Sequence, residues 1–268
     1  MPVYCGVSTQ RRVMHKIAPD QIRQALRAVG IQKGDGLLVH SAIQFLGEPE
    51  GGVGMYYQVL CDLIGAEGTL AVPTFNFSFA KSGHFDPKRT PSVGMGVFSE
   101  YVRLLPGTRR TSHPMQSLAV AGKYAQDLAS CDTPGAFDDG SAFDRMIQLH
   151  FKLLLLGASI QAASIIHYSE QRALVPYRYW KDFSGTIETP AGLVQKTYRM
   201  YVRDLKIDPR LIIKNIQKEL ARKENWKSVK VNYGEIAACR LEDFVSAADA
   251  MLRNDPWVFV TNKPEGKE

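Results

Sequence analysis

His167 and Glu170 stand three residues apart, the spacing that brings two side chains onto one face of a helix. A carboxylate so placed holds one imidazole nitrogen and leaves the other free to take a proton, which is the layout of a general base. On an ordinary surface helix the same spacing makes only a solvated ion pair, so the surroundings decide between the two readings. Directly upstream, Leu153-Leu154-Leu155-Leu156-Gly157 reads as a buried parallel-type strand closed by glycine. Catalytic groups of α/β sheets gather just past the carboxyl ends of such strands. His113, followed by Pro114, precedes the strand-like Leu118-Ala119-Val120, and His40 follows Leu37-Leu38-Val39.

The elements that must position these groups alternate along the chain. Ile22, Leu26 and Val29 predict a helix over about 20–29, with Pro19 near its start. Gly34-Asp35-Gly36 then turns the chain into Leu37-Leu38-Val39, a short buried strand that delivers His40 and Ser41. Leu60, Leu63 and Ile64 fall on one face of a second helix, closed by Gly65 to Gly68, and Thr69 to Val72 is the next strand, ending at Pro73-Thr74. Strand, helix, strand in this order indicates a layered α/β sheet. From Asn76 to Gly96 periodicity is lost, which predicts a long ordered loop over a site, followed by a helix over about 97–105. Beyond Glu170, Thr186 to Tyr201 alternates like antiparallel strands. Asp208-Pro209 reads as the cap and first turn of a helix carrying Ile212, Ile216 and Leu220, and a closing helix spans Leu241 to Leu252.

With 268 residues, 45% hydrophobic and 22% charged, the chain has the composition of a soluble globular protein and is read as a single domain over 1–268. No run approaches a membrane span and the N-terminus lacks a signal-peptide core, so a cytoplasmic location is expected. Cys5, Cys61, Cys131 and Cys239 are far apart and read as free thiols, Cys61 within the core. The net charge of +6 is concentrated: between Lys196 and Lys230 eleven Lys/Arg face four Asp/Glu. This basic elaboration, at about 186–230, is either a solvated face or the seat of an anionic partner.

Several chemistries lack their usual signatures. No G-x-G-x-x-G follows a strand and no Walker A loop is present, and G-x-S-x-G is missing, so a serine hydrolase would need an unusual nucleophile such as Ser41 or Ser117. His40, His113, His167 and Glu170 show no zinc-ligand spacing, which leaves a metal-dependent hydrolase a remote alternative and no metal expected. The basic segment carries Tyr198, Tyr201 and Trp226 but no nucleic-acid motif.

Val39-His40-Ser41, Leu46-Gly47, Gly51-Gly52, Gly68 to Phe75, Phe85-Asp86-Pro87, Pro106-Gly107, Arg110 to Ser117, Leu156-Gly157, His167-Tyr168-Ser169-Glu170 and Val175-Pro176-Tyr177-Arg178 follow one another in an order that resembles the aminoglycoside 3-N-acetyltransferase family. The resemblance covers nearly the whole chain, including the tail from Leu241 to Val258. It implies a three-layer αβα fold with a central mixed sheet, and acyl transfer from acetyl-CoA or another acyl-CoA to the amine of a sugar. Carried onto this chain, it implies that His40, Ser41, Pro73 and Thr74 line the coenzyme path, with Thr111 also toward the coenzyme. His167 would be the base and Glu170 its orienter, with His113, Thr111 and Ser117 placed to stabilise the oxyanion or position the amine. A thioester is already activated, so direct attack by the amine needs only alignment, proton removal and oxyanion stabilisation.

A site for a polycationic antibiotic should be lined with carboxylates, whereas the segment past Glu170 is basic. The expected substrate is therefore a nucleotide-linked (dTDP-type) 3-amino sugar for surface polysaccharide. Arg178 and Lys181 would lie near its phosphates and Tyr177 or Trp180 would stack on it. The alternative is an aminoglycoside 3-N-acetyltransferase conferring antibiotic resistance. Neither nucleic acid nor membrane is an expected partner, and the chain is read as a monomer or homodimer.

Overall fold

The structure, a computed structural model, describes residues 15–264. The chain opens with β1 (Lys16–Ile17) and α1 (Pro19–Ala28), runs through β2 (Gly36–Ser41) and β3 (Glu48–Pro49), and returns by α2 (Gly54–Ile64) to β4 (Thr69–Pro73). The stretch after β4, expected as a loop, holds a helical turn α3 (Phe79–Ser82) and β5 (His84–Phe85) before α4 (Gly96–Leu104). There follow β6 (Arg109–Arg110), β7 (Leu118–Gly122), α5 (Ala125–Ser130), α6 (Ala142–Gln148), β8 (Lys152–Leu156) and α7 (Ile166–Arg172). A long hairpin of β9 (Arg178–Thr189) and β10 (Gly192–Arg203), then α8 (Lys214–Arg222), β11 (Lys227–Val231), β12 (Gly234–Arg240) and α9 (Leu241–Asn254), complete it.

Seven strands form the central sheet in the order β11-β12-β8-β2-β4-β7-β6. β2 runs parallel to both β4 and β8, whereas the β4–β7, β8–β12, β11–β12 and β6–β7 pairs are antiparallel. The sheet is thus mixed and flanked by helices on both faces, the expected three-layer arrangement. Alternation explains why the central strands read as unbroken apolar runs. Leu38, Ala71, Leu153 and Leu155 pack into the core beneath α6, α7, α8 and α9. Leu37, Val39, Leu70, Val72, Leu154 and Leu156 pack into the core beneath α1, α2 and α4.

Two expectations, one about a helix and one about a thiol, fail. The helix placed from Asp208 begins only at Lys214. Asp208 sits at φ +46° with its N–H on the Asp204 carbonyl, and Ile212 donates to Phe259, so the C-terminal tail holds residues 210–212 outside the helix. Ile212 is consequently exposed, while Ile216 and Leu220 are buried. Cys61 is only half buried in α2, and the buried free thiol is Cys239 in β12. Cys5 lies outside the described residues.

Candidate active site

Because β2, β4 and β8 are neighbours and parallel, their carboxyl ends meet at one edge of the sheet. The chain leaves β2 toward β4 through α2 on one face and enters β8 from α6 on the other, and a crevice opens at the carboxyl end of a sheet where crossovers diverge. Gly157 turns the chain immediately after β8, at φ +78°, and a Cβ there would stand 2.5 Å from the Ala42 carbonyl. Only glycine permits that approach between β8 and the end of β2. The result is a cavity of about 340 Å³ whose wall includes His40 and Ser41 from β2, Pro73 from β4, and Ser164 and His167 beyond β8.

His167 Nδ1 lies 2.5 Å from Glu170 Oε2, both on α7. Nδ1–H therefore donates to the carboxylate, and Nε2 has no protein hydrogen bond among the described residues. Glu170 is completely buried, whereas the His167 side chain is 30% exposed and faces the cavity. Burial alone would raise the Glu170 carboxyl, but His167 and Arg178 together hold it below the ordinary carboxylate range. His40 is buried and its Nε2 accepts from Ser164 N–H at 3.3 Å, which puts the ring proton on Nδ1. Burial, with His167 nearby, lowers His40 to about 3.

The remaining sequence-derived candidates separate from this cavity. His113 is buried, accepts at Nδ1 from Gln116 N–H at 3.1 Å and donates from Nε2 to the Arg199 carbonyl at 3.3 Å. Burial lowers it to about 4, and with both nitrogens engaged it latches the loop before β7 to β10. Thr111 Oγ1 accepts from Leu118 N–H, and Thr74 Oγ1 donates to the Ser117 carbonyl. Ser117 Oγ is enclosed by Thr74 and by Arg110 Nε at 2.9 Å. These three buried hydroxyls tie β4, β6 and β7 together, and none of them lines the cavity.

Tyr177 is fully buried against Trp257 and cannot stack on a ligand. Arg178, expected near substrate phosphates, turns inward to Glu170. Trp180 and Lys181 lie in β9, where Trp180 packs on Tyr201 and Arg199, and Lys181 lies over Phe183. The sequence reading missed Gln161 to Ser164, which join β8 to α7, and Gly94-Met95 before α4, all lining the cavity. Their signal was position alone: the first follows a buried strand and the second precedes a helix N-terminus.

Six of the eleven Lys and Arg side chains between Lys196 and Lys230 lie in surface ion pairs. Lys196 pairs with Asp132, Arg199 with Asp182, Arg203 with Asp208, Arg222 and Lys223 with Glu219, and Lys230 with Glu235. None of its Lys or Arg side chains lines the cavity, where Leu211 is the segment's single representative.

A model of the aminoglycoside 3-N-acetyltransferase family matches residues 38–253. Aminoglycoside N(3)-acetyltransferase IV of a Salmonella species is 30% identical over 244 residues, 89% of this chain and 88% of that protein. Aminoglycoside N(3)-acetyltransferase III, also from a Salmonella species, is 30% identical over 177 residues, 59% of this chain, and the match spans only 62% of that relative's length. The solved structure of AAC-IIIb in binary complex with CoASH has a TM-score of 0.79 at 21% identity, covering 93% of this chain and 100% of that one, a likeness of fold. These matches overturn the expectation of a nucleotide-linked sugar, which rested on a basic segment whose cations do not line the cavity.

Proposed function

The chain belongs to the aminoglycoside 3-N-acetyltransferase family, and from that premise we propose that it transfers an acetyl group from acetyl-CoA to a primary amine of an aminoglycoside. The observation that carries the reading is the His167–Glu170 pair, whose histidine lines a cavity built on three strand ends and has no protein hydrogen bond at Nε2 among the described residues. In this reading the amine nitrogen attacks the thioester carbonyl and its proton passes to His167 Nε2. The C–N bond forms, the tetrahedral carbon expels the coenzyme thiolate, and the imidazolium returns the proton to that sulfur. No covalent enzyme intermediate is required.

The CoASH complex of AAC-IIIb supports coenzyme A as the acyl carrier. On this chain the residues suited to hold it are His40, Ser41 and Pro73, with Gly94-Met95 at the start of α4, where helix N–H groups favour phosphate. Phe137 packs edge-on against His167 with ring centroids 5.9 Å apart, so the segment that carries it borders the site. Among the described residues no helix is long and apolar enough to cross a membrane, and dependence on acetyl-CoA fits a cytoplasmic enzyme.

The test is thiol release from acetyl-CoA with kanamycin-type aminoglycosides as acceptors. Saturable release that requires the antibiotic, with resistance on expression in a sensitive host, is the expected result. Release no faster than acetyl-CoA hydrolysis across a panel of aminoglycosides overturns the substrate assignment.

A further inference from the structure

Arg178 opens β9, and its guanidinium points into the protein, with the side chain 14% exposed. Nη2 donates to Glu170 Oε2 at 3.0 Å and lies 3.2 Å from His167 Nδ1. Nη1 donates to the Tyr201 carbonyl at 3.2 Å, and Tyr201 in turn donates its hydroxyl to the Val175 carbonyl at 2.8 Å. The guanidinium is thus fixed by the partner strand of the hairpin. A single carboxylate oxygen, on a residue with no exposed surface, receives both the imidazole and the guanidinium.

That sharing has a consequence for charge. A buried carboxylate 2.5 Å from an imidazole nitrogen favours the imidazolium, and an imidazolium accepts no further proton. A fixed guanidinium against the same oxygen opposes this in two ways. It neutralises the carboxylate and repels a second positive charge at Nδ1. From the other elements packed against it, His167 faces His40 on β2, which burial holds neutral, and the uncharged edge of Phe137. Asp138, next to Phe137, is engaged by Gly135 N–H and the Gln171 amide. Arg178 is therefore the fixed cation that the surrounding elements bring to the pair.

We propose that Arg178 is a positioning residue that shares Glu170 Oε2 with His167 and keeps the pair from holding the proton it must accept from the amine. The role rests on the reading of His167 as the base. It also makes the hairpin part of the catalytic apparatus, since the Tyr201 carbonyl on β10 orients the guanidinium.

The test follows the histidine ring resonances of the ligand-free full chain against pH by NMR, together with the pH profile of kcat/KM. Two neutral variants, Arg178→Gln and Arg178→Met, are compared with Arg178→Lys, which keeps the charge. Either neutral variant should raise the pH at which the pair takes up a proton by about one unit or more. The acidic limb of kcat/KM should move with it, so that activity at pH 6 falls about tenfold relative to the plateau. Arg178→Lys should restore most of the parent profile. An unmoved titration in a folded neutral variant, or a uniform loss of kcat at every pH that lysine does not rescue, overturns the proposal. The NMR titration needs no substrate. An enzyme inactive on every aminoglycoside would sink the proposed activity without touching the titration, while an unmoved titration with full turnover would sink the role of Arg178 alone.

Discussion

The side chain that commits this molecule to its chemistry is His167, because it joins a buried carboxylate to an open cavity through two nitrogens with different tasks. Substituting His167 by Ala or Asn should lower the acetylation rate on the order of 10²-fold or more, with coenzyme A still bound. Turnover assays beside calorimetric titration with coenzyme A check this, and near-normal turnover would refute the base assignment. Glu170→Gln puts an amide where the carboxylate accepts from two donors, so kcat should fall about tenfold or more while KM for acetyl-CoA changes little. An unchanged kcat would mean that Nδ1 needs no anion. The sign of the carboxylate's effect on folding follows from its depressed titration. Stability from ionised Glu170 is present above the unfolded carboxylate range and is lost as pH falls through the still lower folded value.

Two elements hold the ends of the strands in place, the glycine turn after β8 beside the cavity and the loop that His113 latches to the hairpin. Gly157→Ala adds a Cβ 2.5 Å from the Ala42 carbonyl at a left-handed φ, so the segment carrying Ser164 and His167 must move away from β2. A stability loss of roughly 1–3 kcal/mol is expected, with a larger proportional loss in kcat than a remote substitution of equal stability cost. Denaturation midpoints read with kcat decide it. His113 exerts its effect through pH. Burial lowers it from 6.5 to about 4, so it stays neutral in the folded protein while the unfolded chain binds a proton below pH 6.5. The stability this residue contributes is thus whole above pH 6.5 and is lost as pH falls toward 4. Between pH 7 and pH 5 the loss is about 2 kcal/mol. His113→Gln should remove that part of the slope in urea titrations at the two pH values. A parent and a variant with equal slopes would show that the ring is not held neutral.

Across the whole molecule, what the sequence disclosed is whatever repetition or adjacency encodes. The apolar runs of β2, β4 and β8 announced a sheet covered on both faces, and α1, α4 and α9 stand close to where the sequence predicts helices. His167 and Glu170 were legible because their partnership is local, three residues apart on α7. Long-range facts were not. Nothing in Val175-Pro176-Tyr177-Arg178 reveals that the arginine folds back to Glu170, or that Thr74, Thr111 and Ser117 spend their hydroxyls on neighbouring strands. The C-terminal tail that delays α8 to Lys214 contacts it across some fifty residues. Charge misled for the same reason, since a count along the chain ignores partners contributed from elsewhere: Lys196 meets Asp132, and Lys230 meets Glu235 across a strand turn. This last point can be measured. Lys227 and Lys230 lie on β11 at the outer edge of the sheet, away from the cavity at the ends of β2, β4 and β8. A Lys227→Gln, Lys230→Gln double variant removes two positive charges from the basic segment, yet surface charges beyond a Debye length of the ligand are largely screened at physiological salt. KM for acetyl-CoA and for the aminoglycoside should each stay within about twofold of the parent at that ionic strength. A rise of tenfold or more in KM for acetyl-CoA would show that the basic edge reaches the coenzyme phosphates and that its ion pairs are not its main occupation.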